Sequence, residues 1–265
     1  MLEVKNISKT FLPGTVNERR ALDGISFLLE DGEFVTVIGS NGAGKSTLLS
    51  AIAGSFPVDC GSIVLDGDDI TDLPEYKRSR MFGRLFQDPV SGTAPGLTVE
   101  ENLSLVLLQG RKGAVALSRI TRADREMLRQ RLASLGMGLE DRLEQPVGLL
   151  SGGQRQALTL LLATLYTPKL LMLDEHTAAL DPASAERVMD ITQKTVSESG
   201  ISCIMVTHNM KQALDYGNRT FIMNAGRIVA DISGGERRAM SVSDLTELFR
   251  RSAGEGYASD RILLS

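Results

Sequence analysis

Phe34-Val35-Thr36-Val37-Ile38-Gly39-Ser40-Asn41-Gly42-Ala43-Gly44-Lys45-Ser46-Thr47-Leu48-Leu49-Ser50-Ala51-Ile52-Ala53 runs from an apolar, β-branched stretch, through a glycine-rich turn, into a second apolar stretch. The first five residues read as a buried strand. Gly39 to Ser46 fit the phosphate-loop pattern G-x-x-x-x-G-K-[ST]. Its glycines let the backbone turn tightly and aim N–H groups at a β-phosphate. Thr47 to Ala53 reads as a helix whose N-terminus favours an anion. Lys45 reaches toward β- and γ-phosphates on this reading, and the Ser46 hydroxyl takes a Mg2+ position. Gly39, Ser40, Asn41, Gly42, Ala43, Gly44, Lys45, Ser46 and Thr47 are therefore the candidate contacts to a nucleoside triphosphate.

Other strand ends carry polar residues suited to the same chemistry. Leu170 to Leu173 is an apolar run, closed by Asp174 and Glu175. A carboxylate at the end of a buried strand can hold Mg2+ through water, which fits Asp174. The next carboxylate can polarise an attacking water, which fits Glu175. In isolation an Asp-Glu pair better suits a helix cap or a surface; behind a phosphate loop the functional reading wins. His208 follows the apolar run Ile201 to Thr207, at the edge where α/β sheets bind ligands, and can bond a γ-phosphate. Gln87 follows Arg84-Leu85-Phe86, where a surface glutamine is the plain alternative. Leu150-Ser151-Gly152-Gly153-Gln154 stands more than a hundred residues beyond the phosphate loop.

The remaining chain arranges itself around these segments. Met1 to about Glu33 reads as strand-rich, with a turn at Leu12-Pro13-Gly14, and Gly61 to Gly67 as another strand and turn. From about Asp88 to Thr164 the pattern turns helical, with Glu100-Glu101-Asn102-Leu103 opening one helix and Arg122 to Leu135 forming another. Thr220 to Met223 and Ile228 to Ala230 read as a hairpin around Asn224-Ala225-Gly226-Arg227. Leu245, Leu248 and Phe249 mark an amphipathic stretch in the tail. The expected fold is α/β: a P-loop NTPase core with a mainly parallel sheet, an N-terminal antiparallel β subdomain and a helical insert. One domain spans residues 1–240, its helical subdomain about 88–164, and a short tail covers 241–265.

Bulk properties exclude several classes. The 265 residues are 42% hydrophobic, ordinary for a globular chain. A formal net charge of −4 gives no global basic field for nucleic acid. The basic clusters Arg19-Arg20, Lys77-Arg78 with Arg80, Arg111-Lys112 and Arg237-Arg238 read as solvated surface. No apolar run approaches the ~20 residues needed to span a bilayer. The start of the chain lacks the apolar core of a signal peptide. Cys60 and Cys203 suggest no disulfide framework, and Cys203 reads as core. The chain is expected in the cytoplasm, with any membrane role exercised through a partner.

The order of phosphate loop, Gln87, Leu150–Gln154, Leu171–Glu175, Ala179-Leu180-Asp181 and His208 resembles the ATP-binding subunits of ABC transporters over essentially the whole chain. The resemblance implies the ABC ATPase fold, ATP and Mg2+ as ligands, and two chains closing head to tail on ATP. Ser151, Gly152, Gly153 and Gln154 would then grip the nucleotide held by the second copy, Ser151 and Gly153 at its γ-phosphate. Asp181 would lie at the dimer interface. Gln87 would sense Mg2+ and the γ-phosphate, and Phe11 would stack on adenine where the family more often has Tyr. A core phenylalanine is the alternative for Phe11. Catalysis would rest on Glu175, His208 and Gln87, and the metal on Ser46, Gln87 and Asp174.

Two segments narrow the resemblance. His176 stands where most of the family has Pro, and Gly83 to Pro89 runs on to Gly92-Thr93-Ala94-Pro95. Both resemble a bacterial importer subgroup working with a lipoprotein-type, extracytoplasmic binding protein and a separate permease. Some of its members are associated with tryptophan or tyrosine uptake. The chain would then sit on the cytoplasmic face of the membrane, bound to permease subunits. His176 either tunes Glu175 by titration or simply packs. An exporter cassette and an ABC-type ATPase acting outside transport are the rival readings.

Overall fold

The computed structural model describes residues 1–109 and 120–253, so Arg111-Lys112 and the last residues of the tail lie outside the described residues. Among the described residues two compact units are present: residues 1–82 with 200–253, and residues 83–109 with 120–199.

In the first unit, β1 (Leu2–Phe11), β2 (Arg19–Leu29), β4 (Cys60–Leu65) and β5 (Asp68–Asp69) form an antiparallel sheet in the order β2-β1-β4-β5. The β4–β5 turn is Asp66-Gly67, with φ of 52° and 85°. Asp-Gly suits a two-residue hairpin because both positions are left-handed. The parallel strands are β3 (Phe34–Gly39), β8 (Ser202–Val206) and β9 (Arg219–Asn224), with β3 paired in parallel to both neighbours. All six residues of β3 are buried, which explains its unbroken apolar run. The expected late hairpin is β9 with β10 (Arg227–Ser233), antiparallel to it.

Helices α1 (Lys45–Ala53), α2 (Glu75–Arg78), α7 (Met210–Asp215), α8 (Gly234–Ala239) and α9 (Val242–Ala253) complete this unit. The amphipathic tail stretch is α9: Leu245 is buried with Ile38, Ala213 and Ile222, and Leu248 and Phe249 pack beside it.

The second unit contains β6 (Phe82–Leu85, from its second residue) and β7 (Leu170–Asp174), which are neighbours, with α3 (Val99–Gln109), α4 (Arg122–Ala133), α5 (Gly152–Thr164) and α6 (Pro182–Ser199). Its core gathers Leu103 of α3, Leu128 and Leu132 of α4, and Leu158 and Leu161 of α5.

Two basic clusters depart from the solvated-surface expectation. Arg78 and Arg237 are buried, whereas Lys77, Arg80 and Arg238 are exposed. Arg78 donates to Ala51 O at 3.0 Å and Ile52 O at 2.8 Å, at the end of α1, and to Leu73 O at 2.8 Å. Arg237 donates to Ala213 O at 2.7 Å and Tyr216 O at 2.6 Å, at the end of α7. Each guanidinium satisfies carbonyls that a helix end leaves without an intrahelical partner. Adjacent basic residues in the sequence conceal this difference. Cys203 is fully buried, as expected of core, and both cysteines are free.

Candidate functional site

The turn between β3 and α1 is shaped by glycine. Gly42 and Gly44 have φ of 82° and 103°, the left-handed region where a side chain is strained. A Cβ on Gly39 would stand 2.5 Å from Met223 O, and one on Gly44 2.5 Å from Ala21 O. The loop is therefore wedged against β9 and β2. Its Ala43 carbonyl accepts from Gly226 N at 2.9 Å, and Ala43 N donates to Ser40 O at 3.1 Å. Lys45 is buried, and its ammonium donates to Gly39 O at 2.8 Å and Ser40 O at 3.2 Å. The helix starts at Lys45, two residues earlier than its apolar pattern suggests, because left-handed Gly44 occupies the cap position. Ser46 is exposed on the first turn.

Two further candidates share this unit. Thr207 N donates to Val37 O at 3.1 Å, so the chain leaving β8 still runs beside β3 as it reaches His208. His208 and the phosphate loop thus leave the same edge of adjacent parallel strands, the edge where such sheets bind ligands. Phe11 ends β1 and is 36% exposed, so it is not a core residue. Its ring meets Phe56 edge-on, with centroids 5.2 Å apart and planes at 80°. Lys9 Nζ lies 5.9 Å from the Phe11 centroid and 5.6 Å from that of Phe56. Directly opposite Phe11 on β2 is Arg19, which donates to Gly42 O at 2.8 Å. The strand end carrying Phe11 is thereby tied to the phosphate loop.

In the second unit, β7 is buried up to Leu173, and Asp174 emerges half-buried at its end. Glu175 then adopts φ 46°, an uncommon conformation for a residue with a Cβ. The bend is closed by Ala178 N donating to Glu175 O at 3.0 Å and Leu180 N to Thr177 O at 3.1 Å. Asp181 caps α6: Ser184 N donates to its carboxylate at 3.0 Å, and the Ser184 side chain and amide hold its pKa down.

His176 is buried, 3.5 Å through Nε2 from Thr192 Oγ1 on α6. Burial lowers its pKa from 6.5 to about 4, so the ring is neutral near pH 7, which favours packing over titration. The unfolded chain takes up a proton below pH 6.5 that the folded chain refuses until about pH 4. This histidine therefore lowers stability progressively as pH falls through that window, by up to about 3 kcal/mol. His176→Pro is expected to flatten the acid limb of stability, read as urea midpoints between pH 7 and 5, and to leave the pH profile of activity above pH 6 unchanged. An activity profile that shifts in the variant would restore the tuning role.

The Leu150–Gln154 segment starts α5. Ser151 is the cap: its hydroxyl accepts from Gln154 N at 3.3 Å, and Gln154 Oε1 accepts from Ser151 N at 3.2 Å. This capping box uses Ser151 Oγ as acceptor and leaves its O–H able to donate to an anion. Gln154 thus sits in the first turn of the helix. A Cβ on Gly152 would stand 3.0 Å from Leu180 Cδ2, and one on Gly153 3.0 Å from Ser184 Cβ. The glycines permit close packing of α5 on the segment that carries Asp181. Ser151 and Gly152 are exposed, while Gly153 is buried. Gln87 is exposed beyond β6, just before the turn that Asp88 caps by accepting from Val90 N at 2.9 Å.

Sequence reading missed Phe56, Lys9 and the Arg19–Gly42 contact. An aromatic at Phe56 and a basic pair at Arg19-Arg20 carry no pattern of their own; antiparallel pairing brings the second of these to the loop.

Comparison with known proteins bears on the family and the fold. A family model described as "ABC transporter" matches residues 22–178. A tyrosine transport ATP-binding protein of Clostridioides difficile is 44% identical over 250 residues, covering 94% of this chain and 98% of that protein. A phosphonates import ATP-binding protein of Treponema denticola is 36% identical, covering 87% of this chain and 89% of its own length. Among solved structures, the ATP-binding cassette MJ0796, in a dimeric post-hydrolysis state bound to ADP and Pi, superposes with a TM-score of 0.75 at 27% identity, over 88% of this chain and 98% of that one.

Proposed function

Because the chain belongs to the ABC transporter family, we propose that it is the ATP-hydrolysing subunit of a bacterial importer of an aromatic amino acid, tyrosine or tryptophan. Membership of the family makes it an ABC ATPase, and the 44% identical tyrosine transport protein supports the substrate class. The observation that carries the reading is the glycine-shaped loop around Lys45 in a chain that also presents Ser151 and Gly152 at the start of α5. A phosphate loop alone suits many enzymes, whereas the second element serves a nucleotide held by another copy.

On this reading the loop binds the ATP polyphosphate through backbone N–H groups and Lys45. Ser46, Asp174 and Gln87 offer hard oxygen donors, the chemistry Mg2+ prefers. The ion, when bound, neutralises charge developing on the phosphates. Glu175 accepts a proton from the attacking water, and His208 donates to the γ-phosphate. Two copies close head to tail, so that Ser151 and Gly153 of one complete the site of the other by two-fold symmetry, a reading supported by the dimeric state of the related cassette. Asp181, on the same segment as the glycine contacts, joins that interface.

Among the described residues no helix is long and apolar enough to cross a membrane. On the importer reading the subunit acts from the cytoplasmic face, through permease subunits fed by an extracytoplasmic binding protein, a reading supported by the transport subunits it resembles. The decisive experiment is uptake of labelled tyrosine, tryptophan and an unrelated amino acid in the native cell, wild type against Glu175→Gln. Loss confined to the aromatic pair is the expected result. Unchanged aromatic uptake removes the substrate and leaves the ATPase.

A further inference from the structure

We propose that Arg19 is a nucleotide-binding residue whose guanidinium holds the α-phosphate of ATP. The proposal rests on the reading that the loop takes the β- and γ-phosphates and Phe11 the base. Arg19 stands between those two positions. It faces Phe11 across the β1–β2 pairing and donates from Nη2 to Gly42 O at 2.8 Å. The absence of a side chain at Gly42 makes that approach possible: a Cβ there would lie 2.8 Å from the same nitrogen.

The rest of the guanidinium is available. Arg19 is exposed, and a guanidinium carries five N–H donors in a fixed fork that matches phosphate oxygens. Among the described residues Arg19 meets no carboxylate. Its neighbour Arg20 is paired with Asp23 at 2.5 Å, and Arg227 with the same carboxylate at 2.5 Å. One arginine of the pair thus shares a carboxylate with Arg227, while the other, bonded to the loop, has none. The chain leaving a β-phosphate in the loop toward a base on Phe11 passes this point with its α-phosphate. A charge-assisted bond at a solvent-accessible site is worth about tenfold in affinity.

The test is calorimetric titration in EDTA with ATP and with each diastereomer of its α-thio analogue, for wild type, Arg19→Gln and Arg19→Lys. Arg19→Gln is expected to bind ATP about tenfold more weakly, and Arg19→Lys to recover part of that loss. Wild type is expected to distinguish the diastereomers, and Arg19→Gln to treat them alike, since coupling between residue and oxygen vanishes when either is changed. Unchanged ATP affinity in Arg19→Gln overturns the proposal. So does a uniform loss that keeps the diastereomer preference, which would make Arg19 an anchor of the loop only. Phe11→Ala and Lys45→Ala serve as references: if both bind ATP like wild type, the nucleotide-site reading itself fails and takes this contact with it.

Discussion

Lys45→Ala is expected to abolish ATP binding and, with it, hydrolysis. The Lys45 ammonium is buried and anchored on Gly39 O and Ser40 O, carbonyls of the loop it serves. It is therefore delivered to the loop before nucleotide arrives, and little side-chain freedom remains to be lost on binding. Charge-assisted contacts to two phosphates are each worth about 1.5–3 kcal/mol, so affinity should fall by about a hundredfold or more. Truncation also leaves two loop carbonyls short of a donor, at a cost of about 1–3 kcal/mol to the fold. Melting with and without ATP separates the two effects. Wild type gains stability by mass action as ATP is added, whereas the variant starts lower and gains nothing. A normal ATP-dependent rise in the variant would refute the role of the loop.

The strand–loop–helix unit was legible because each of its parts is dictated locally. An unbroken apolar run demands burial on both faces, and β3 is buried throughout. Glycines at 42 and 44 demand left-handed backbone, which both adopt. The runs at Leu170 and Ile201 became β7 and β8 for the same reason as β3, β7 one residue longer at its end and β8 one residue shorter at each end. What stayed hidden depends on partners distant in sequence. Arg78 and Arg237 look like any surface arginine until the ends of α1 and α7 arrive beside them. Phe56 has no periodicity to announce it, and its ring matters only because β1 places Phe11 against it. Nothing in the sequence around Glu175 signals a left-handed φ, since the residue most tolerant of it, glycine, is not there.

That conformation motivates the second large effect. A non-glycine residue at φ 46° costs the fold about 1 kcal/mol, and it persists immediately after a strand-end carboxylate. The side chain is retained where glycine would relieve the backbone, which is the pattern expected of a group held for chemistry. Glu175→Gln keeps the shape and removes the proton acceptor. Hydrolysis should fall by about a hundredfold to ten-thousandfold while ATP affinity is kept. With turnover blocked, MgATP should hold two copies together, and light scattering should report a dimer that dissociates on exchange into ADP. Hydrolysis at the wild-type rate in this variant would remove Glu175 as the base. The backbone argument has its own test. Glu175→Gly and Glu175→Ala both discard the carboxylate and should be equally inactive, but the glycine variant should be the more stable by about 1 kcal/mol in urea unfolding. Equal stability would mean that the bend carries no strain, leaving the case for Glu175 to rest on the loss of activity alone.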